Sequence, residues 1–403
     1  MGQRFLSNVL VTLERFLFYM NNFRKGITMT NEITLIATAA MGIEAIVGRE
    51  VRDLGYEPKI ENGKVIYKAP LSAIPRSNLW LRTADRVKLL VGEFKATSFD
   101  ELFEQTKALP WERLIPEDGE VPVIGKSVKS KLYSVSDCQA IVKRAIVDRL
   151  TVQHGLASRL PETGALYRVE VSILKDKVSL TIDTSGSGLH KRGYRVGQGE
   201  APLKETLAAT LIKLTNWKAE DTFVDPFCGS GTIPIEAALI GQNIAPGFNR
   251  EFVSEEWGFI PAKYWDLALE EAEDLANYDQ PLEIIGSDID HNMINISKEN
   301  ALEAGLSDLI KWKQMQVSDL KIPSERGYLV SNPPYGKRIG EDQEIGKIYK
   351  SLGEKMADFP KWSVYVLTAF KQFEKYYGKN ATRKRKLFNG FIRTDYYQYF
   401  GKR

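Results

Sequence analysis

Hydrophobic positions change period several times along the chain, and each change predicts an element. Ile33 to Ala37 is a short apolar run suited to a strand, after which Ile43, Val47, Val51 and Leu54 recur at helical spacing and stop at Gly55. Lys59-Ile60 and Lys64 to Tyr67 flank Asn62-Gly63, the dipeptide of tight hairpins. Leu71 to Leu81 reads as a helix, and Arg86 to Phe94 as a strand with Val87, Leu89 and Val91 on one face. This order predicts a split β-α-β, ferredoxin-like unit over residues 30–99.

A second small α/β unit is expected over residues 100–186. Phe99 to Leu109 is helical and Val121 to Ile124 a strand, and Gly125 to Tyr133 reads as a glycine-led loop. Cys138 to Leu150 then places Ile141, Val142, Ala145, Ile146 and Leu150 on one helical face, and Tyr167 to Ile173 with Val178 to Ile182 form a hairpin. Lys126, Lys129 and Lys131 on the loop, with Lys143, Arg144 and the ring of Tyr133, make a candidate surface for a phosphate backbone. For any one of these cations a solvated face is the more ordinary role. Residues 187–201 are rich in glycine and poor in apolar side chains, which predicts a linker whose Lys191, Arg192 and Arg195 contact nucleic acid.

From Thr222 onward strands and helices alternate, the pattern of a parallel, doubly wound sheet over residues 202–403. Strands are expected at Thr222–Val224, Leu282–Gly286, Ile310–Met315, Tyr328–Val330 and Trp362–Leu367, with a helix after the first and another from Asp290 to Gly305. Lys384 to Phe388 and Ile392 to Tyr399 flank Asn389-Gly390, which predicts an antiparallel hairpin at the sheet's edge. An insertion from Ala245 to Gln280 either shapes a cleft or packs as an extra helix.

Composition narrows the class. With 403 residues, 43% of them hydrophobic, the chain can bury more than one core, and a net charge of +3 is too mild to announce a nucleic-acid partner by itself. Two cysteines, Cys138 and Cys228, support no disulfide framework, which points to a reducing, cytoplasmic setting. The three histidines lack metal-ligand spacing, so no metal is expected. Residues 1–29 read as an amphipathic extension or an over-extended start. Their apolar run is broken by Glu14 and Arg15 and is too short to span a membrane.

The candidate chemistry lies at the carboxyl ends of the expected strands. After the fourth strand of the second half comes Asn332-Pro333-Pro334-Tyr335, in which two prolines stiffen the backbone and remove two N–H groups. The amide oxygen of Asn332 and the Pro333 carbonyl can accept two hydrogen bonds from a planar exocyclic amine, while Tyr335 offers a face to its ring. That suits transfer of a methyl group to a conjugated amine. The turn Asp225-Pro226-Phe227-Cys228-Gly229-Ser230-Gly231-Thr232 follows the first strand. An acidic residue opening such a turn is poor for a phosphate but good for an ammonium group, and the helix start beyond it can meet a carboxylate. The methionyl end of S-adenosylmethionine carries both groups. Asp225, Phe227, Gly229, Gly231 and Thr232 are therefore candidate cofactor residues, as are Asp288, for the ribose hydroxyls, and the adjoining Ile289. Asp319 is a candidate for the adenine amine, and Asp290 a helix N-cap. Asp288 lies 59 residues beyond Gly229, against about 20 in a dinucleotide fingerprint, and Pro234 replaces the third glycine.

Asp225 to Thr232 together with Asn332 to Tyr335 resembles the amino-methylating class of S-adenosylmethionine-dependent methyltransferases. From about residue 30 the chain resembles the bacterial 23S rRNA guanine-N2 methyltransferases of the RlmL type, which carry a THUMP RNA-binding unit. The shared wording includes Ala39 to Glu44, Gly188 to Arg195, Ala201 to Glu205 and Ala245 to Arg250. The resemblance implies a ferredoxin-like unit, a THUMP unit over 100–186 and a Rossmann-like methyltransferase domain. It implies S-adenosylmethionine as cofactor and an RNA guanine as acceptor, 23S rRNA before tRNA. Some relatives fuse a second methyltransferase domain, for which no room is expected before Arg403. An adenine N6 in RNA or DNA fits the same acceptors, and a non-catalytic RNA-binding ribosome assembly factor is the reading of a different class.

Overall fold

The computed structural model describes residues 32–157, 160–199, 202–335 and 342–402, so the expectations for residues 1–29 fall outside it. The chain forms two compact units. Among the described residues, the first takes in 32–39, Gly48–Leu189 and Glu251–Glu271; the second takes in Ala40–Val47, His190–Arg250 and the chain from Ala272.

In the first unit, β1 (Glu32–Thr38) is followed by α1 (Glu44–Asp53), whose first four residues count with the second unit, then β2 (Pro58–Glu61), β3 (Lys64–Pro70), α2 (Ala73–Trp80) and β4 (Arg86–Lys95). Then come α3 (Phe99–Lys107), β5 (Val123–Val128), α4 (Val135–Gln153), β6 (Val169–Leu174) and β7 (Lys177–Asp183). One sheet in the order β2-β3-β1-β4-β7-β6-β5 runs through all seven strands. The join is the long antiparallel ladder between β4 and β7, from Lys88↔Asp183 to Lys95↔Lys177. Local signals set the turns as expected: Gly63 has φ +73° and Gly55 +88°.

Two expectations are corrected here. Gly125 to Val128 is strand, not loop: β5 pairs in parallel with β6, and a Cβ at Gly125 would lie 3.0 Å from Val171 and 3.2 Å from Gln139. The glycine lets neighbouring side chains close over the strand instead of loosening the backbone. Residues 251–271, the middle of the expected insertion, pack into the first unit. Trp257 stacks on Tyr167 with ring centres 5.0 Å apart. Glu271 accepts two 2.6 Å hydrogen bonds from the Arg76 guanidinium, both side chains being almost wholly buried.

The second unit holds α5 (Glu205–Lys213), β8 (Thr222–Asp225), α6 (Thr232–Gly241), β9 (Ile284–Asp288), α8 (His291–Glu303), β10 (Ile310–Gln314) and β11 (Gly327–Ser331), with α7 (Ala262–Leu275) entering it at its end. It closes with α9 (Asp342–Ala357), β12 (Ser363–Thr368), α10 (Phe373–Tyr377), β13 (Arg383–Asn389) and β14 (Ile392–Tyr399). The sheet order is β10-β9-β8-β11-β12-β14-β13, parallel from β10 to β12. The predicted hairpin supplies the antiparallel β14 and the edge strand β13. β8 is buried throughout, as the centre of a two-faced sheet requires. Helix α9 was not foreseen; its Tyr349 and Leu352 join Val224, Leu329, Val366 and Phe373 in the core.

The expected linker does carry the chain from the first unit, which ends at Leu189, to the second, which resumes at His190, but it is packed and not solvated. Leu189, Arg192 and Tyr194 are buried, and a Cβ at Gly193 (φ +103°) would sit 2.3 Å from the Asn249 carbonyl oxygen. The glycines of this stretch serve close packing. Among the described residues no helix is long and apolar enough to cross a membrane.

Candidate active site

The carboxyl ends of β8, β9 and β11 carry the candidate residues. Asp225 ends β8 and is only 1% exposed. Its Oδ1 accepts hydrogen bonds from the Ser331 hydroxyl, at 2.5 Å, and the Phe227 N–H, at 3.1 Å. Burial pushes its carboxyl up to about 7; the two donors oppose that shift and the nearby Asp288 adds to it. Ser331 thus ties the end of β11 to the end of β8.

The turn after β8 uses its two glycines differently. At Gly229, φ +51°, an added Cβ would meet nothing within 4 Å, so one side of the turn stays open. At Gly231, φ +84°, it would meet Trp312 at 2.8 Å and Ser297 at 3.1 Å. The Gly229 N–H donates to Asp288 Oδ2 at 3.0 Å, and Asp288 Oδ1 accepts from the Asp290 N–H at 3.0 Å. Asp290 caps α8 as expected, accepting from the Asn292 N–H at 2.8 Å.

Three polar residues that sequence reasoning missed or misassigned, Asn300, Ser297 and Arg195, brace this turn. Asn300 on α8 uses all of its amide: Oδ1 accepts from the N–H groups of Val196 (2.9 Å) and Gly197 (3.1 Å), and Nδ2 donates to the carbonyls of Gly197 (3.0 Å) and Ser230 (2.9 Å). Ser297, one turn earlier, donates to the Gly229 carbonyl at 2.7 Å. Arg195 donates to Glu205 at 2.7 Å, to the hydroxyls of Ser230 (3.1 Å) and Thr232 (2.9 Å), and to the Leu203 carbonyl at 3.1 Å. Arg192 meets Glu236 at 3.3 Å, where the Tyr194 hydroxyl also donates at 3.2 Å. The expectation that Arg192 and Arg195 face nucleic acid is thereby corrected: their guanidinium groups are turned inward onto buried carboxylates. Polar residues at Ser297 and Asn300, on the buried face of α8, were the available signal.

In the loop after β11, Asn332 and Tyr335 are partly buried, Pro333 is buried and Pro334 exposed. The Tyr335 hydroxyl donates to Asn332 Oδ1, and the Asn389 side chain reaches the same phenol. Burial pushes that phenol up to about 12. The Pro334 carbonyl accepts from Tyr349 at 2.8 Å. A cavity of about 210 Å³ opens between this loop and the glycine turn, lined among others by Asp225, Phe227, Gly229, Thr232, Met293 and Asn332. Cys228 also borders it; burial, then Asp225 and Asp288, hold its thiol well above its ordinary range. Ile289 is 63% exposed and Asp319 is exposed in a short turn after β10; the structure does not bring either to the cavity.

The candidate cations of the first unit divide. Lys129 and Lys131 are exposed, and Lys126, 61% exposed, pairs with Glu170 at 2.9 Å. Lys143 does not face outward as expected: it donates to the Val121 carbonyl at 2.8 Å and pairs with Glu162. The Arg144 guanidinium lies over the Phe103 ring, 5.5 Å from its centre.

Three family models match the chain: an RlmL ferredoxin-like domain over residues 34–88, a THUMP domain over 96–183, and an RMKL-like methyltransferase domain over 192–398. A Bacillus subtilis (strain 168) protein named "Putative RNA methyltransferase YpsC" is 63% identical over 370 residues, 92% of this chain and 96% of that one. The "Ribosomal RNA large subunit methyltransferase K/L" of Syntrophotalea carbinolica is 35% identical over 90% of this chain but only 53% of its own length, so the chain spans about half of that relative. Among solved structures, one titled a "predicted N6-adenine-specific DNA methylase" from Listeria monocytogenes is 62% identical, with a TM-score of 0.89 over 92% of this chain and 97% of that one. Another, SMU.472, "a putative methyltransferase complexed with SAH", is 46% identical with a TM-score of 0.89, over 93% of this chain and all of that one.

Proposed function

The chain belongs to the RMKL-like methyltransferase family, and from that premise we propose that it methylates the exocyclic N2 amine of a guanine in RNA, 23S rRNA before tRNA. At the coarser level it is an S-adenosylmethionine-dependent RNA methyltransferase, in keeping with its THUMP domain, its named relatives and a similar structure complexed with SAH. The observation that carries the proposal is the meeting of Asp225, Gly229 and Asn332 on one cavity.

The residues fit the cofactor. A buried carboxylate for its ammonium group stands beside a glycine turn left open at Gly229, and Met293 lines the same cavity. When bound, S-adenosylmethionine supplies an electrophilic methyl group on a sulfonium. In the proposed mechanism, Asn332 Oδ1 accepts a hydrogen bond from the guanine amine and stabilises the positive charge that develops on its nitrogen. That oxygen now holds the Tyr335 hydroxyl, so the entering amine exchanges one donor for another instead of desolvating a bare acceptor. Positioning accounts for the rest of the rate. No strong base is required, since the amine becomes acidic as it bonds; Tyr335 and Cys228 are both held protonated near neutral pH.

The adenine-N6 reading keeps support from the acceptor pair, which fits either amine, and from the name of the Listeria structure. Nucleoside mass spectrometry of rRNA and tRNA from cells with and without this gene separates the readings. The expected result is loss of N2-methylguanosine from the rRNA fraction alone. Loss from tRNA moves the substrate, and loss of N6-methyladenosine replaces guanine by adenine.

A further inference from the structure

The β13–β14 hairpin sets a run of cations beside a bare aromatic ring that neither the fold nor the cofactor cavity uses. From Arg383 to Thr394 the sequence is Arg-Lys-Arg-Lys-Leu-Phe-Asn-Gly-Phe-Ile-Arg-Thr, with five cations and no carboxylate. Successive side chains of a strand alternate between faces, so Lys384 and Lys386 share one face with Arg393 and with Asp395, which lies opposite Lys386, while Arg383 and Arg385 take the other, where Arg385 donates to the Gly42 carbonyl at 2.7 Å. Arg383, Lys386 and Arg393 are exposed, and none of the three forms an ion pair among the described residues. Lys384 pairs with Glu374 at 2.7 Å, half-exposed.

At the tip, Phe391 is 107% exposed, more open than in an extended reference chain, and Ile392 beside it is 43% exposed. Keeping a whole phenyl ring in water forgoes the gain of burying it. An edge strand with four consecutive cations is protected against pairing with another sheet. That protection explains the charges but not the ring.

The register gives the tip its position. Thr368, the last residue of β12, is level with Asp395 of β14, and Ser331, the last residue of β11, is level with Val366. The hairpin therefore continues for three more residues, about 10 Å, past the ends of the parallel strands. That is the edge from which the Asn332 loop departs. Asn389, paired with Ile392 at the neck of the hairpin, reaches the Tyr335 phenol of that loop.

We infer that the β13–β14 hairpin is an RNA-gripping element, in which Lys386 and Arg393 hold the backbone phosphates beside the acceptor nucleotide and Phe391 stacks against a base of that strand. A nucleotide turned out toward Asn332 leaves its neighbours unstacked, and an aromatic ring is sequence-tolerant compensation for that loss. An acidic protein partner would suit the cations but has less use for a solitary ring beside an amine-accepting loop. The inference rests on RNA being the substrate.

The test uses the full chain with two probes, an unmodified 23S rRNA transcript and a DNA duplex of equal length. Phe391 is wholly exposed, so Phe391→Ala folds. It is expected to slow single-turnover methyl transfer to the transcript at least tenfold, with Phe391→Trp restoring it and S-adenosylhomocysteine affinity unchanged. The double variant Lys386→Glu with Arg393→Glu is expected to weaken transcript binding at least tenfold. Its log Kd against log salt slope should fall by about 1.4, the share of two phosphate contacts on single strands. If both variants bind and methylate the transcript within twofold of the parent, the inference fails while the proposed activity stands. If the parent binds the transcript through the hairpin yet transfers no methyl group, the proposed activity fails and the hairpin stands. Equal loss of affinity for the DNA duplex in the charge variant would also overturn the inference, because it would mark a general polyanion surface.

Discussion

The turn after β8 and the loop after β11 leave the same edge of one sheet and are held in opposite ways. The turn is braced from outside: Arg195, Ser297, Asn300 and Asp288 all bond to Gly229, Ser230 or Thr232. The loop is stiff from within, through Pro333 and Pro334, and its catalytic candidate is bonded to a side chain three residues further on. A site that binds the same cofactor every cycle gains from a fixed geometry. A site that must admit a base of an RNA gains from an acceptor covered by a donor that can leave. The two meet at Ser331, whose hydroxyl reaches Asp225.

The largest expected effect falls on the loop. Asn332→Ala removes the acceptor on which charge stabilisation is proposed to depend, and turnover should drop about 100- to 1,000-fold. Calorimetry with S-adenosylhomocysteine should find its affinity within a few fold of the parent. A comparable loss of affinity would mean that loop and turn are one site, not two. On the turn the corresponding change is Asn300→Ala, which strands two backbone N–H groups and two carbonyls that now share one amide. Unfolding should become easier by roughly 2 to 3 kcal/mol, read as a lower denaturant midpoint, with cofactor affinity falling alongside. If stability falls and affinity does not, the brace serves the fold alone.

The next effect is smaller and depends on pH. Burial raises the Asp225 carboxyl to about 7, so in the free protein it is largely protonated below that pH. Only the ionised form attracts an ammonium group, so affinity for S-adenosylhomocysteine should tighten as pH rises through 7 and level off above it. Between pH 6 and pH 8 the expected change is about tenfold, or about 1.4 kcal/mol. Asp225→Asn should flatten the profile. For the free protein the stability sign is opposite: the folded state holds this proton more tightly than the unfolded chain, so the group favours folding at low pH and costs stability as pH rises toward 7.

How much of this was legible in the sequence follows from the range of the forces involved. Turns were readable because positive φ is a local demand, as at Gly63, Gly229 and Gly390. The alternation of strand and helix from Thr222 also appeared, because burial of β8, β9 and β11 on both faces demands continuous apolar runs. Pairings across distance were not visible. Nothing near Arg192 announces Glu236, 44 residues on, so a buried ion pair read as a solvated linker. Likewise Glu271 gives no local sign of Arg76, 195 residues earlier, and residues 251–271 could not be assigned to the first unit. Of the basic run Arg383 to Lys386 the sequence predicts only a strand from Lys384, because the use proposed for its cations depends on the distant Asn332 loop.

The smallest expected effect tests the loop's cover itself. In Tyr335→Phe the ring stays and the hydroxyl that occupies Asn332 Oδ1 is lost. Were that hydrogen bond a catalytic necessity, turnover would collapse as in Asn332→Ala. If it only holds the acceptor until a base arrives, two opposed changes follow. The entering amine no longer has to displace a donor, which favours binding, while Asn332 is less well oriented before binding, which opposes it. Each amounts to about one neutral hydrogen bond exchanged against solvent, roughly 0.5 to 1.5 kcal/mol, so the two nearly cancel. The expected outcome is kcat/KM for RNA within about threefold of the parent, with cofactor affinity unchanged. A hundredfold loss would give the hydroxyl a direct role in the transfer step and undo the contrast between a braced turn and an exchangeable loop.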